Sequence, residues 1–423
     1  MQIHIVRQGE TVTSIAAQYG VEPGIITRYN GLQPPYFLAV GQALAIFFPL
    51  QTAIVQSGDT LYSLAARYGA SILELFRLNP QLGGSALLRP GETIVLALER
   101  QPIRETQLYG YAYPFANPQV LGGILPYSRY FVPFTYGIGA DGGLLALDDE
   151  ALLLLARQYD VTPLLHLSTL TEDGSFSSER AARLLGAAER WQTVADAVFS
   201  QIEMRGYGGL DVDFEFLGAE NAEAYAQFLG FLRPQVNARN MELFAALAPK
   251  TSGDQKGVLY EGHDYGAIAE NTDAVLLMTY EWGYTYGPPL AVSPLPSVKR
   301  VLDYAVTQIP PEKIFMGFSN YGYDWPLPYR RGETRARSIS NVYAAALAAS
   351  VGAEIEFDET AQAPFFRYTA EDGIAHEVWF EDARSCMARL PLVAQYGFRG
   401  VGVWNYMRPF PVLFALAYWM FDI

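Results

Sequence analysis

Three carboxylates stand two residues apart in Gly208-Gly-Leu-Asp-Val-Asp-Phe-Glu-Phe216. Apolar residues fill the alternate positions, so the segment predicts a strand. Asp211, Asp213 and Glu215 then share one face, and Leu210, Val212, Phe214 and Phe216 take the other. An edge strand with a solvated face would suit this pattern, but the run lies between two long helical stretches. In a buried strand, Val or Ile would pack better than any of the three. Like charges held that close raise one another's pKa, so at least one proton is expected to be shared at neutral pH. Cleavage of a glycosidic bond needs such a group, because a protonated carboxyl must donate to the leaving oxygen. Glu215, last in the run, is the candidate acid.

A strand of this kind needs a frame that buries one face and opens one end. Strand-like runs at 107–113, 130–136, 162–167, 209–216, 242–248, 274–280, 313–318 and 400–404 alternate with helical stretches such as 179–205 and 219–237. Eight such alternations predict an α/β fold, a (β/α)8 TIM barrel over 107–423, with its chemistry at the carboxyl ends of the strands. The gap between Phe318 and Gly400 is too long for one helix. It contains Glu354-Ile-Glu-Phe and Glu377-Val-Trp-Phe, which read as strands, so an α+β insertion at about 321–380 is expected to wall one side of the cleft.

The DxDxE pattern on a barrel strand resembles glycoside hydrolase family 18, the chitinase-like enzymes, and the resemblance covers the chain from about Gln107 onward. It implies retaining hydrolysis in which the substrate's own 2-acetamido group is the nucleophile. Carried over to this chain, it implies Glu215 as general acid and then base. Asp213 would hold the acetamido N–H and raise the proton affinity of Glu215, with Asp211 behind it. Met278-Thr-Tyr280-Glu281 is similar to the family's motif at the sixth strand. It implies Tyr280 as a hydrogen-bond donor to the acetamido oxygen, with Glu281 where Asp is usual. Gly400-Val-Gly-Val-Trp404 implies Trp404 as the floor under the reacting sugar. Met278, Tyr111 and Asn320, the last heading Asn320-Tyr-Gly-Tyr-Asp-Trp325, are further expected cleft residues. Gly208 stands where the family often has Asp, which touches only the supporting shell.

The first hundred residues repeat. Ile5-Val-Arg-Gln-Gly-Glu-Thr aligns with Ile54-Val-Gln-Ser-Gly-Asp-Thr at an offset of 49 residues, which persists to Asn30 and Asn79. Each unit predicts strand, helix, helix, strand. Thr11 and Thr60 are expected N-caps, and Gly20 is expected to end the first helix. These units, 1–48 and 53–97, resemble LysM modules, small βααβ domains that bind N-acetylglucosamine chains. The resemblance implies sugar grooves near Gly9–Val12 with Gly24–Ile26, and near Gly58–Leu61 with Ser71–Leu73. A polar stretch, 98–106, reads as a linker.

Composition narrows the partners. Half of the 423 residues are hydrophobic, which fits two or three globular domains, and the net charge of −15 disfavours nucleic acid and anionic membranes. The lone cysteine, Cys386, allows no intramolecular disulfide and reads as a buried apolar side chain. The four histidines have no metal-ligand spacing, so neither metal nor cofactor is expected. No apolar run predicts a membrane span, and the N-terminus does not read as a signal peptide.

Paired LysM-like modules with Tyr-Glu-Trp-Gly after the sixth strand resemble the spore cortex-lytic N-acetylglucosaminidases of endospore-forming bacteria. That resemblance implies peptidoglycan as partner and a place at the spore coat or cortex, with a cytoplasmic or cell-wall location as the alternative; a monomer is the default for enzymes that act on a solid wall. A chitinase or another endo-N-acetylglucosaminidase is the alternative within enzymes. A glycan-binding coat protein on an inactive barrel is the alternative outside them.

Overall fold

Both N-terminal repeats fold where turn chemistry and apolar stripe agree. In the computed structural model, which describes residues 1–139, 142–171 and 174–423, the first repeat runs through strand Gln2–Ile5, helices Val12–Tyr19 and Pro23–Asn30, and strand Ala43–Ile46. The second runs through Pro49–Ile54, Leu61–Tyr68, Ile72–Leu78 and Thr93–Leu98. Within each repeat the two strands pair antiparallel. Thr11 and Thr60 form reciprocal capping boxes with Ser14 and Ser63, which satisfy amides that a first helical turn leaves free. Gly20 and Gly69 then close the helices in the left-handed conformation. The repeated asparagines are clamps. Asn30 Nδ2 donates to the Ile26 and Ala45 carbonyls at 2.8 and 2.9 Å. Asn79 Nδ2 does the same to Leu75 and Val95, both at 2.8 Å.

The expected sugar grooves need correction. Gly24–Ile26 and Ser71–Leu73 are the first turns of helices, and Ile25 and Ile26 are buried in the core. The segments leading into the final strands lie further on, at 31–42 and 79–92.

Eight parallel strands follow. They are Gln107–Ala112, Tyr130–Pro133 with Tyr136–Gly137, Thr162–Pro163 with Leu165–Ser168, Gly209–Asp213, Glu242–Leu247, Ala274–Leu277, Ile314–Ser319 and Gly400–Trp404. Each pairs with the next, and the eighth pairs with the first, Gly400 opposite Gln107. The second and third strands are interrupted, and their halves pair separately, which completes the ring of a TIM barrel. The fourth strand stops at Asp213 and the sixth at Leu277, short of the expected 216 and 280. The expected helical stretch 179–205 divides into Ser178–Leu185 and Trp191–Arg205, with Gly186 capping the first.

Aromatic side chains fill the barrel. Tyr109 packs edge-on against Phe315 and Phe244, with ring centroids 4.8 and 5.7 Å apart. At the amino ends of the strands, Arg399 makes a forked pair with Glu242 at 2.8 and 2.9 Å and meets the Tyr130 hydroxyl at 2.9 Å. That end is therefore sealed, and access is left to the carboxyl ends.

Between the seventh strand and helix Ala383–Gln395 the chain builds a five-stranded antiparallel sheet. Its order is Arg337–Ser340, Tyr321–Pro326, Ala375–Trp379, Ala363–Thr369, Glu356–Asp358, with helix Asn341–Val351 against it. The repeats are docked on this body. Arg77 donates to the Pro126 and Ile423 carbonyls at 2.6 and 2.9 Å. Residues 98–106 are tied down as well, since Ile103 and Thr106 amides bond to Met420 and Asp422 at 2.9 and 2.8 Å. Among the described residues no helix is long and apolar enough to cross a membrane.

The first repeat meets the insertion at Gly41. Its φ is +81°, and an added Cβ would lie 1.9 Å from the Ile355 carbonyl oxygen. Gly41→Ala is expected to push the repeat off the insertion, read as an increased radius of gyration in small-angle scattering. An unchanged scattering curve would mean that the contact yields locally.

Candidate active site

Strand pairing sets Asp211 beside His166 and Asp213 beside Ser168, all inside the barrel. The intervening side chains point outward, with Phe214 stacked on Tyr225 and Phe228 at 5.5 and 5.9 Å. The alternation read in the sequence thus holds for the two aspartates. Glu215 comes from the turn beyond the strand, where Phe216 adopts a left-handed φ of +55°. Gly208 abuts Thr162, whose Cγ2 lies 2.5 Å from where a Cβ would be, so a larger residue there would need the neighbour to shift.

At the carboxyl ends of the strands a pocket of about 300 Å³ collects Asp213, Glu215, Met278, Tyr280, Glu281 and Trp404, with Tyr111 on its wall. Asp211 lies beneath, fully buried. Asn320 does not reach the pocket. It is buried and donates to the Arg408 carbonyl at 3.1 Å, so it ties the end of the seventh strand to the loop after the eighth. Trp282 of the Tyr-Glu-Trp-Gly motif also lines it, as do Tyr113, Phe134, Phe176 and Tyr260, which were not singled out from the sequence, where isolated aromatics look the same in a core or a cleft. Trp404 packs against Phe134 and Tyr111 at 4.9 and 5.5 Å.

His166 is the buried neighbour that the sequence reading passed over. Its Nδ1 meets Thr135 Oγ1 at 2.5 Å, and its Nε2 lies 3.7 Å from Asp213 Oδ2 and 3.9 Å from Asp211 Oδ2. Burial pushes its pKa down to about 3, so the ring is neutral and cancels no negative charge. The available signal was its inward phase between Leu165 and Leu167.

Burial also governs the carboxyls. It raises Asp211 to about 7, with the Tyr111 hydroxyl acting the other way. Asp213 is raised well above the carboxylate range by burial and by the charges of Glu215 and Asp211. Glu215 is raised to about 7 by burial first and then by Glu281. Among the described residues no Lys or Arg forms an ion pair with any of them. The set therefore keeps protons at neutral pH. Glu281 has a left-handed φ of +68° and receives the hydroxyls of Tyr321 and Tyr323 from the insertion, Tyr323 at 3.0 and 3.2 Å.

The model of glycosyl hydrolases family 18 matches residues 172–408, and the LysM model matches 4–47 and 53–97. The chain belongs to glycosyl hydrolase family 18. It is a glycoside hydrolase with two LysM domains. It is 37% identical to the cortical fragment-lytic enzyme of Bacillus subtilis (strain 168), covering 100% of this chain and 99% of that one. The crystal structure of the spore cortex-lytic enzyme SleL of Bacillus megaterium QM B1551 superposes with a TM-score of 0.83 at 36% identity, covering 100% and 98% of the two chains. A chitinase from Chromobacterium violaceum ATCC 12472, at 22% identity and TM-score 0.69 over 74% of this chain and 98% of that one, shares the fold.

The negative neighbour of Glu215 has a readable consequence. A raised pKa keeps the Glu215 carboxyl protonated until pH rises through about 7, and activity that needs its proton should fall there. Removing the charge of Glu281 lowers the proton affinity of Glu215. In the pH profile of kcat/KM, Glu281→Gln is expected to move the basic limb to lower pH, and an unmoved limb would exclude this coupling.

Proposed function

We propose that the chain hydrolyses N-acetylglucosaminyl linkages in spore cortex peptidoglycan, with retention and with the substrate's acetamido group as nucleophile. Glu215 donates its proton to the glycosidic oxygen while the acetamido carbonyl oxygen attacks C1 from the opposite face. Asp213 accepts the acetamido N–H, the Tyr280 hydroxyl donates to the acetamido oxygen, and Trp404 floors the sugar. The C1–oxygen bond of the leaving sugar breaks, and a cyclic oxazolinium forms. Glu215, now ionised, takes a proton from water, which opens the ring and restores the original anomer. Asp211 and the neutral His166 act through Asp213 by keeping a proton within the buried set.

One observation carries this reading: Asp213, Glu215 and Tyr280 meet in a single pocket over Trp404, with the carboxyls raised and unpaired with any cation. The relatives named as cortex-lytic across the whole chain support the cortex as substrate and place of action. The LysM domains would hold the glycan while the barrel cuts it.

Glu215→Gln should reduce release of new N-acetylglucosamine reducing ends from purified cortex fragments by roughly 10²- to 10⁴-fold. Mass spectrometry of the ends checks the bond cut. An unimpaired variant would remove Glu215 from the reaction, and chitin as the better substrate would replace cortex.

A further inference from the structure

The first repeat and the insertion enclose a cavity of about 270 Å³ that shares no lining residue with the catalytic pocket. One side is the segment 31–42, through Pro34, Pro35 and Phe37. Helix Asn341–Val351 and the start of helix Ala383–Gln395 form the other. Two hydrogen bonds hold these walls together. The Ile355 amide donates to the Val40 carbonyl at 2.8 Å, and Arg384 Nη2 donates to the Gly41 carbonyl at 3.2 Å. None of residues 7–12, the loop after the first strand, lines the cavity, so it lies apart from the groove expected of a LysM module by itself.

Two buried side chains in the wall are incompletely bonded. Asn341 and Glu381 are each 2% exposed. Asn341 Oδ1 accepts from the Glu381 amide at 2.9 Å, but its Nδ2 has no acceptor among the described residues. Glu381 Oε2 takes the Arg389 guanidinium, but Oε1 has no donor among them. An unmet donor and an unmet acceptor thus sit on neighbouring residues, which is costly in a buried place. A hydroxyl answers both, because one O–H group donates and accepts at once. The acidic residues here leave no unbalanced charge, since Glu381 is paired with Arg389 and Asp382 with Arg384. A neutral ligand is therefore favoured over an ion. The remaining walls are apolar, with Val342, Ala346, Phe380 and Phe410 facing the prolines and Phe37. Phe37 is 71% exposed, a large ring left in solvent at the cavity edge. A pyranose has the matching character, apolar C–H faces with hydroxyls at its edges.

We propose, on the peptidoglycan reading above, that this cavity is a second saccharide site. A neutral sugar unit packs its C–H face on Phe37 and the prolines, and sets one hydroxyl between Asn341 Nδ2 and Glu381 Oε1. The volume is just below that of small-molecule sites, roughly 300–1,000 Å³, so it takes a single unit rather than a length of strand. The site is complete only while the first LysM domain is docked on the insertion. Glycan bound there consequently stabilises the docked arrangement, as any ligand does for the state that binds it.

The test uses the full chain carrying Glu215→Gln, to leave bound glycan uncut, with tri-N-acetylchitotriose as probe. A crystal of the complex should show a pyranose in this cavity, its hydroxyl within hydrogen-bond distance of Asn341 Nδ2 and Glu381 Oε1. An ordered water between those atoms, with probe only elsewhere, would overturn the proposal. Phe37→Ala and Ala346→Trp alter exposed positions of the wall, the first removing the platform and the second filling the space. In cosedimentation with purified cortex each should weaken binding by roughly 3- to 10-fold. In chains that keep Glu215, the same changes should leave kcat/KM on a soluble cortex tetrasaccharide unchanged. Unweakened cortex binding would sink the idea, and so would an equal loss in both measurements, which marks a disturbed fold. Failure of the peptidoglycan reading is separately visible, as a wild type that releases no new sugar ends from cortex.

Discussion

Inside the barrel, Asp211 and Asp213 are enclosed by aromatic and aliphatic walls, and the nearest imidazole, His166, is itself neutral. Among the described residues no cation balances them, so protons must. That constraint reaches upward to Glu215, half-buried at the head of the same column, whose carboxyl is raised by desolvation and by the charge of Glu281. A site arranged this way keeps a carboxyl protonated at neutral pH. The cost is a buried polar set with unpaired oxygens on both aspartates. The packed barrel around it, sealed below by Arg399, Glu242 and Tyr130, supplies the rigidity that keeps such a set in place.

The insertion is an electrostatic partner of the cleft as well as its wall. Tyr321 and Tyr323 lie on its second sheet position and reach back to Glu281, on the loop after the sixth strand. Ser338, one strand over, reaches Arg408 on the loop after the eighth. One antiparallel pairing, Tyr323 opposite Ser338, therefore supports both an acidic group, Glu281, and a basic group, Arg408, in the cavity that Trp404 also lines. The barrel alone contains neither arrangement.

The LysM domains are joined to this body by directed contacts rather than by a free tether. Tyr29 of the first donates to the Leu78 carbonyl of the second at 2.7 Å, and Arg77 binds carbonyls of the barrel. Docked modules present the glycan from a defined direction, which lowers the conformational cost of placing a bound strand in the cleft.

Local chemistry was readable from the residues alone. The repeats were legible because capping threonines, closing glycines and clamp asparagines act within one short unit. The two buried aspartates were legible because strand alternation has a fixed period, and the insertion because the interval between Phe318 and Gly400 was too long. Tertiary structure decided the rest. Asn320 follows a strand end like the true cleft residues, yet it turns inward to Arg408. His166 and the tyrosines of the insertion gain their meaning only from partners more than thirty residues away. The fourth strand ends before Glu215, so the turn at Phe216, not alternation, brings that carboxyl to the pocket. Pattern specifies which face a side chain takes, whereas what it meets there depends on distant segments folding against it.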